Sequence, residues 1–262
     1  MSRVIVTTAD HIAHVQLNRP EKRNAVDPEM FEALSAAGQE VAASDARAVV
    51  LSGAGEGFCA GIDIGSLGGM VGKDIEAMIM PRTHGAGTTN RWQEAAMVWH
   101  RLDVPVIAAL HGVCFGAGLQ IALGADIRIA APDTRLAVME MKWGIVPDMG
   151  GMVLLPRLVR SDVIRQLVYT AAPIDAAKAE RWGLVTEVSD TPLETAFALA
   201  RDIAGKSPKA IRAAKALISC AEKDGEDEVL LEESRLQAGL IGTPEQMEVI
   251  AAQFAKRAPV FD

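Results

Sequence analysis

At 262 residues and 50% hydrophobic, the chain can bury a full core, as one large domain or as one domain with a small appendage. Its net charge of −8 argues against nucleic acid or an anionic membrane as the main partner, while local basic clusters remain compatible with a phosphorylated ligand. The three cysteines, Cys59, Cys114 and Cys220, are too few and too dispersed for a disulfide framework, no secretory pattern opens the chain and no apolar run reaches ~18 residues, so a soluble cytoplasmic protein is expected.

Strand and helix signals alternate over the first two-thirds. Val4–Thr8 and Ile12–Leu17 read as a hairpin turning through Ala9 and Asp10. Asp27 is placed to cap a helix with Pro28 in its first turn, running to about Val41. Arg47–Ser52 and Val106–Leu110 are apolar on both faces, which suits a parallel sheet covered by helices. The stretch from Gly65 to Thr89 holds six glycines and no convincing period. It reads equally as a loop or loosely formed helix over a ligand site and as a surface insertion. From about Pro192 only helices are expected, one opened by Ser207-Pro208 and one by Thr243-Pro244-Glu245-Gln246 at capping-box spacing. The expected organisation is therefore an α/β core over residues 1–200 and a helical region over 201–262, without a fixed-period repeat.

The chemistry concentrates between Val106 and Gly151, where a strand runs through a glycine-punctuated turn into a helix and on to two carboxylates, Glu140 and Asp148. In Gly116-Ala117-Gly118-Leu119-Gln120 the amides near Ala117 lie at a helix start and can hold an anionic oxygen, although the same glycines also serve close helix–sheet packing. Gly57-Phe58-Cys59-Ala60-Gly61-Ile62-Asp63 can offer the Ile62 amide, or can simply be a tight strand-to-loop turn. Together the two segments supply N–H donors from separate loops. Cys59 has no histidine near it in sequence and is expected to be a buried structural thiol. Glu140, set among methionines and a valine, is either desolvated with a raised pKa or exposed at an element edge. Asp148, in Pro147-Asp148-Met149-Gly150-Gly151, is either catalytic or the N-cap of a helix over Gly150–Leu158. The histidines are dispersed, with His11 and His14 placed on opposite faces of one strand, so no metal site is expected.

An ordered set of motifs carries a family resemblance: Arg19-Pro20 with Asn24-Ala25, Phe58 to Asp63, Ala109-Leu110-His111-Gly112 with Gly116-Ala117-Gly118, Ala125-Asp126, Glu140, and Trp182-Gly183-Leu184-Val185. From about Val4 to Val188 the chain resembles the crotonase superfamily, the enoyl-CoA hydratase/isomerase group. The resemblance implies a spiral of ββα turns with a C-terminal helical annex that covers the site and mediates assembly, in a homotrimer or dimer of trimers. It implies an acyl-CoA thioester substrate, whose coenzyme A is part of the substrate rather than a separate cofactor. It also implies an oxyanion hole from the amides of Ile62 and Ala117, with Arg23, Ala25, Ala60, Asp63 and Gly116 along the substrate path.

Departures from the family pattern bear on the reaction. Hydratases of the group use two glutamates to activate water; Glu140 matches the second, but the first falls on Gln120, which can orient water and cannot exchange a proton with it. A single glutamate is the arrangement of the enoyl-CoA isomerases. Asp148 falls where dienoyl-CoA isomerases carry an aspartate and where aromatic acyl-CoA dehalogenases carry a nucleophile. Double-bond isomerisation with Glu140 as proton carrier is thus the leading expectation. Hydration with Gln120 orienting water, and a catalytically silent CoA-binding scaffold, are the alternatives. Aromatic acyl chemistry is disfavoured because the local sequence shows no strong aromatic lining.

Overall fold

The computed structural model describes residues 2–261. Two antiparallel strands open it, β1 (Val4–Ala9) and β2 (Ile12–Leu17), in register from Val4↔Leu17 to Ala9↔Ile12. Their turn is Asp10–His11, both left-handed at φ 51° and 59°, one residue beyond the turn read from sequence. Two positive φ values in a two-residue loop match the twist of the flanking strands, and Asp and His tolerate them better than most side chains. His11 is therefore a turn residue, 2.9 Å from Asp45, and not on the strand that carries His14.

Helix α1 (Pro28–Ala42) starts as its sequence dictates, with the Asp27 carboxylate accepting the Met30 amide at 2.8 Å and Pro28 in the first turn. Strand β3 (Ala48–Gly53) begins one residue later than expected. In the glycine-rich region α2 (Ile64–Gly68) and α3 (Ile75–Ile79) are only five residues each, because glycine repeatedly interrupts the apolar period. Helix α4 (Arg91–Arg101) has a full capping box between Asn90 and Gln93. There follow β4 (Val106–Leu110), β5 (Val113–Phe115), α5 (Ala117–Leu123), β6 (Ile127–Ala130) and β7 (Arg135–Ala137). Then come α6 (Gly151–Leu154), α7 (Ser161–Thr170), β8 (Ile174–Asp175), α8 (Ala176–Trp182) and β9 (Glu187–Val188). The helix expected over Gly150–Leu158 is thus α6 continued by a 3-10 turn at Leu155–Arg157.

The larger sheet has order β1-β2-β3-β4-β6-β9 and is parallel from β2 onward; β5, β7 and β8 form a second. The first three strands all enter the larger sheet, whereas the pairs β4–β5 and β6–β7 each feed one strand to each sheet, which is the spiral. Period-two alternation explains why β3 and β4 are apolar throughout. Val49, Leu51, Val106, Ala108 and Leu110 face the main core with α1, α4 and α5. Ala48, Val50, Ile107 and Ala109 face the other side, under Ala196, Ala200 and Ala204 of α9 (Pro192–Ala204).

The last three helices are α10 (Pro208–Ala221), α11 (Glu226–Leu240) and α12 (Pro244–Ala255), with α10 and α12 capped by Ser207 and Thr243 as expected. Their faces are little buried, and α10 is strapped to the core by polar contacts. Lys215 Nζ donates to Asp126 at 2.7 Å and to the Val104 carbonyl at 2.9 Å, and Arg157 pairs with Glu222 at 2.9 Å. Among the described residues no helix is long and apolar enough to cross a membrane.

Asn24 fixes the loop that leads to the site. It is fully buried and left-handed at φ 56°, and its side-chain nitrogen donates to the carbonyls of Ala54, Gly57 and Phe58. Its side-chain oxygen accepts the Arg19 amide at 2.8 Å. Asn24→Ala leaves these groups unsatisfied and puts alanine in an unfavourable conformation. We expect a loss of about 2–3 kcal/mol and a melting temperature lower by roughly 4–12 °C; thermal melts check it, and an unchanged Tm contradicts the assignment.

Candidate active site

Two loops meet because side chains are missing where they touch. Gly61 has φ 98°, and a Cβ built there would lie 2.9 Å from the Phe115 carbonyl oxygen and 3.8 Å from the Ala117 nitrogen. On the first loop Val26 donates to the Gly61 carbonyl and Asp63 donates to the Val26 carbonyl, both at 2.8 Å. Alternate backbone groups point opposite ways, so the Ile62 N–H faces away from Val26. On the second loop Gly116, at φ 50°, turns the chain so that Ala117 is the first residue of α5, where its amide has no intrahelical partner. Among the described residues neither the Ile62 nor the Ala117 amide has an acceptor. Two such donors on rigid backbone can hold a carbonyl oxygen as it gains charge.

Ala60, Gly61, Ile62, Gly116, Ala117, Glu140 and Asp148 all border one cavity of about 280 Å³. A Cβ added at Gly116 would lie 3.6 Å from Glu140 Oε1, which sets the carboxylate against the second donor loop. Glu140 is 7% exposed and heads a 3-10 turn, Glu140–Trp143. Its Oε1 accepts Gln120 Nε2 at 2.6 Å, while Oε2 has no hydrogen-bond partner in the protein. Burial pushes the Glu140 carboxyl above its ordinary pKa, against the lowering effect of its own amide and of Gln120; the charge of Asp148 raises it further. Asp148 is open to solvent on the cavity side, yet the protein around it is dense enough to raise its carboxyl too, again by desolvation. It does not cap a helix: α6 begins after Gly150, which offers no side chain. The cap alternative is thereby removed.

Gln120 is 2% exposed and does not line the cavity. Its Oε1 accepts the amides of Met149 and Gly151 at 2.9 and 3.0 Å, which fixes the amide orientation and aims Nε2 at Glu140. Instead of presenting itself to a ligand, it positions the glutamate and anchors the loop that carries Asp148. The remaining sequence candidates, Arg23, Ala25 and Asp63, do not line the cavity. Arg23 is exposed, with its carbonyl accepting the Ala60 amide at 2.9 Å. The Ala25 carbonyl and the Asp63 carboxylate both accept from Arg19, the latter at 2.7 Å, so Asp63 is an ion-paired loop anchor with a lowered pKa. Neither Ala25 nor Asp63 borders the cavity. Cys59 is the buried thiol expected: its S–H donates to the Asn24 carbonyl at 3.0 Å and burial pushes it up to about 12.

The expectation of a weakly aromatic lining is wrong. Phe31, Trp92, Phe115 and Trp143 border the cavity, together with Met70, Met139 and Met149. They come from α1, α4, β5 and the 3-10 turn, so no local stretch shows the cluster. Lys142, also missed, stands at the cavity edge with its Nζ 5.9 Å from the Trp143 ring centre.

Known proteins resemble this chain in sequence and in fold. The sequence profile of the enoyl-CoA hydratase/isomerase family matches residues 7–262. A mitochondrial Delta(3,5)-Delta(2,4)-dienoyl-CoA isomerase of Rattus norvegicus is 33% identical over 262 residues, covering 96% of this chain and 79% of that protein. The "Probable enoyl-CoA hydratase echA14" of Mycobacterium tuberculosis is 34% identical over 255 residues, covering 97% and 95%. The crystal structure of an enoyl-CoA hydratase from Bacillus anthracis superposes with a TM-score of 0.89 at 31% identity, covering 99% of this chain and 98% of that one.

The raised carboxyls carry a stability signature. For an acid whose folded pKa lies above its unfolded value, the contribution is complete below the unfolded pKa and is lost as pH rises through the folded one. At neutral pH the buried Glu140 charge is therefore a cost. Glu140→Gln keeps the acceptor for Gln120 and is expected to melt at a higher temperature than wild type near pH 8. That gap should shrink as pH falls toward the ordinary glutamate value of 4.5. A gap independent of pH across this range contradicts the assignment.

Proposed function

The chain belongs to the enoyl-CoA hydratase/isomerase family, and on that premise we propose that it moves a double bond along an acyl-CoA thioester. The observation that carries this reading is the pairing of a glutamate with one free buried oxygen and a glutamine whose carbonyl is already saturated. In the proposed reaction the Ile62 and Ala117 amides donate to the thioester oxygen, which acidifies carbon 2 of a 3-enoyl group. The Glu140 carboxylate takes that proton, and the electron pair passes onto the thioester oxygen as a dienolate. The carboxylic acid then returns the proton to carbon 4 as the negative charge collapses, leaving the 2-enoyl thioester. No water enters the balance. With a 3,5-dienoyl group the proton returns at carbon 6, where Asp148 is the second group bordering the cavity. Two carboxylates raised by burial, one lifted further by the other's charge, can begin in different protonation states.

Hydration, the activity in the names of several relatives, would call for a second acid–base group beside Glu140 at the position of Gln120. Gln120 lacks that capacity, and its oxygen is committed to Met149 and Gly151.

Turnover of a 3-enoyl-CoA, followed by absorbance of the conjugated thioester and by product mass, is expected to fall about 10²–10⁴-fold in Glu140→Gln. Asp148→Asn should cost a 3,5-dienoyl substrate more than a 3-enoyl one. Conversion of a 2-enoyl-CoA to a water adduct at a rate above that of isomerisation contradicts the proposal. In Gln120→Leu, loss of the donor that lowers Glu140 should move the acid limb of kcat/KM to higher pH. A limb that stays in place removes Gln120 from the positioning role.

A further inference from the structure

Aromatic residues make up 4% of the chain, yet four of them line this single cavity. Phe31 and Trp92 form one wall, with ring centres 6.3 Å apart and planes tilted by 31°. Phe31 is buried and packed into the main core, and Trp92 is half-buried at the start of the capped helix α4, so this wall is stiff. Phe115 belongs to the segment between the two donor loops, and Trp143 closes the turn headed by Glu140. At about 280 Å³ the cavity sits at the small end of ligand pockets.

Resting on the acyl-thioester reading of the site, we infer that its substrates carry an aryl ring at the far end of a short acyl chain. A thioester oxygen held by Ile62 and Ala117 leaves the remaining carbons inside the same aromatic-walled space. A flexible alkyl chain loses rotor freedom when it packs against the stiff Phe31–Trp92 wall, whereas a ring has no internal rotors to freeze. A ring also gains stacked or edge-to-face contacts with Phe31 and Trp92 that an alkyl chain does not make, and sulfur contacts with methionines such as Met70. The two acidic groups bordering the cavity remain free for proton transfer, because aryl recognition of this kind uses no hydrogen bond.

The test compares two unreactive nine-carbon thioesters, 3-phenylpropanoyl-CoA and nonanoyl-CoA, by calorimetric titration of the full chain. Wild type is expected to bind the aryl thioester about tenfold more tightly. Trp92→Leu and Phe31→Leu should each bring the ratio close to one, by weakening the aryl thioester more than nonanoyl-CoA, with circular dichroism and thermal melts reporting that the fold is intact. Equal or tighter binding of nonanoyl-CoA by wild type overturns the inference, as does a preference that survives in both variants. Aryl preference in a protein that moves no double bond leaves this inference standing and removes the isomerase proposal. Binding of neither thioester overturns both.

Discussion

One side-chain amide ties the site together. Gln120 sits on the first turns of α5 and is almost fully buried; its oxygen accepts two amides from the loop 149–151 and its nitrogen donates to Glu140. A carboxylate in that position could accept the same two amides but would have no proton to give Glu140. It would also set two negative charges against each other in a desolvated space. The glutamine therefore determines which oxygen of Glu140 is occupied and which is free. It also holds in place the loop on which Asp148 enters the cavity. Isomerisation rather than hydration is proposed on this arrangement.

The donor side rests on a different constraint, close backbone approach. Gly61 and Gly116 both have positive φ, and a Cβ at Gly61 would press on the carbonyl of Phe115 in the neighbouring loop. Behind them Asn24 holds the first loop and the sheet edge holds the second. The amides proposed to hold the thioester oxygen are thus on closely held backbone, which is what preorganised electrostatic stabilisation requires. The cost appears in the carboxylates, whose burial works against stability at neutral pH while suiting them to the proton transfer proposed for them.

Much of this was legible in the sequence where one local rule decides. The unbroken apolar run Val106–Leu110 reads as a two-sided parallel strand, and the Asp27, Ser207 and Thr243 caps lie where their side chains suggest. Legibility failed where two rules compete or where only tertiary structure decides. Pro147-Asp148 before a glycine pair is a fair helix cap, and nothing local reveals that the helix starts later and that Asp148 opens onto a cavity. The glycine-rich segment hides α2 and α3 because glycine erases the period within a turn or two. The aromatic lining is assembled from four elements spread between residues 31 and 143, so local sequence reads each ring as ordinary packing.

The central claim is that Glu140 carries a proton from one carbon to another within a sheltered cavity. Its most direct test is single turnover of a 3-enoyl-CoA deuterated at carbon 2, in ordinary water, with the product's label mapped by NMR. The account predicts that part of the deuterium reappears at carbon 4, since the free Oε2 is buried and exchanges slowly with solvent during the enolate's lifetime. It also predicts that the Glu140→Gln protein forms no such labelled product. Complete loss of label to solvent, with the mutant isomerising as fast as wild type, would contradict it.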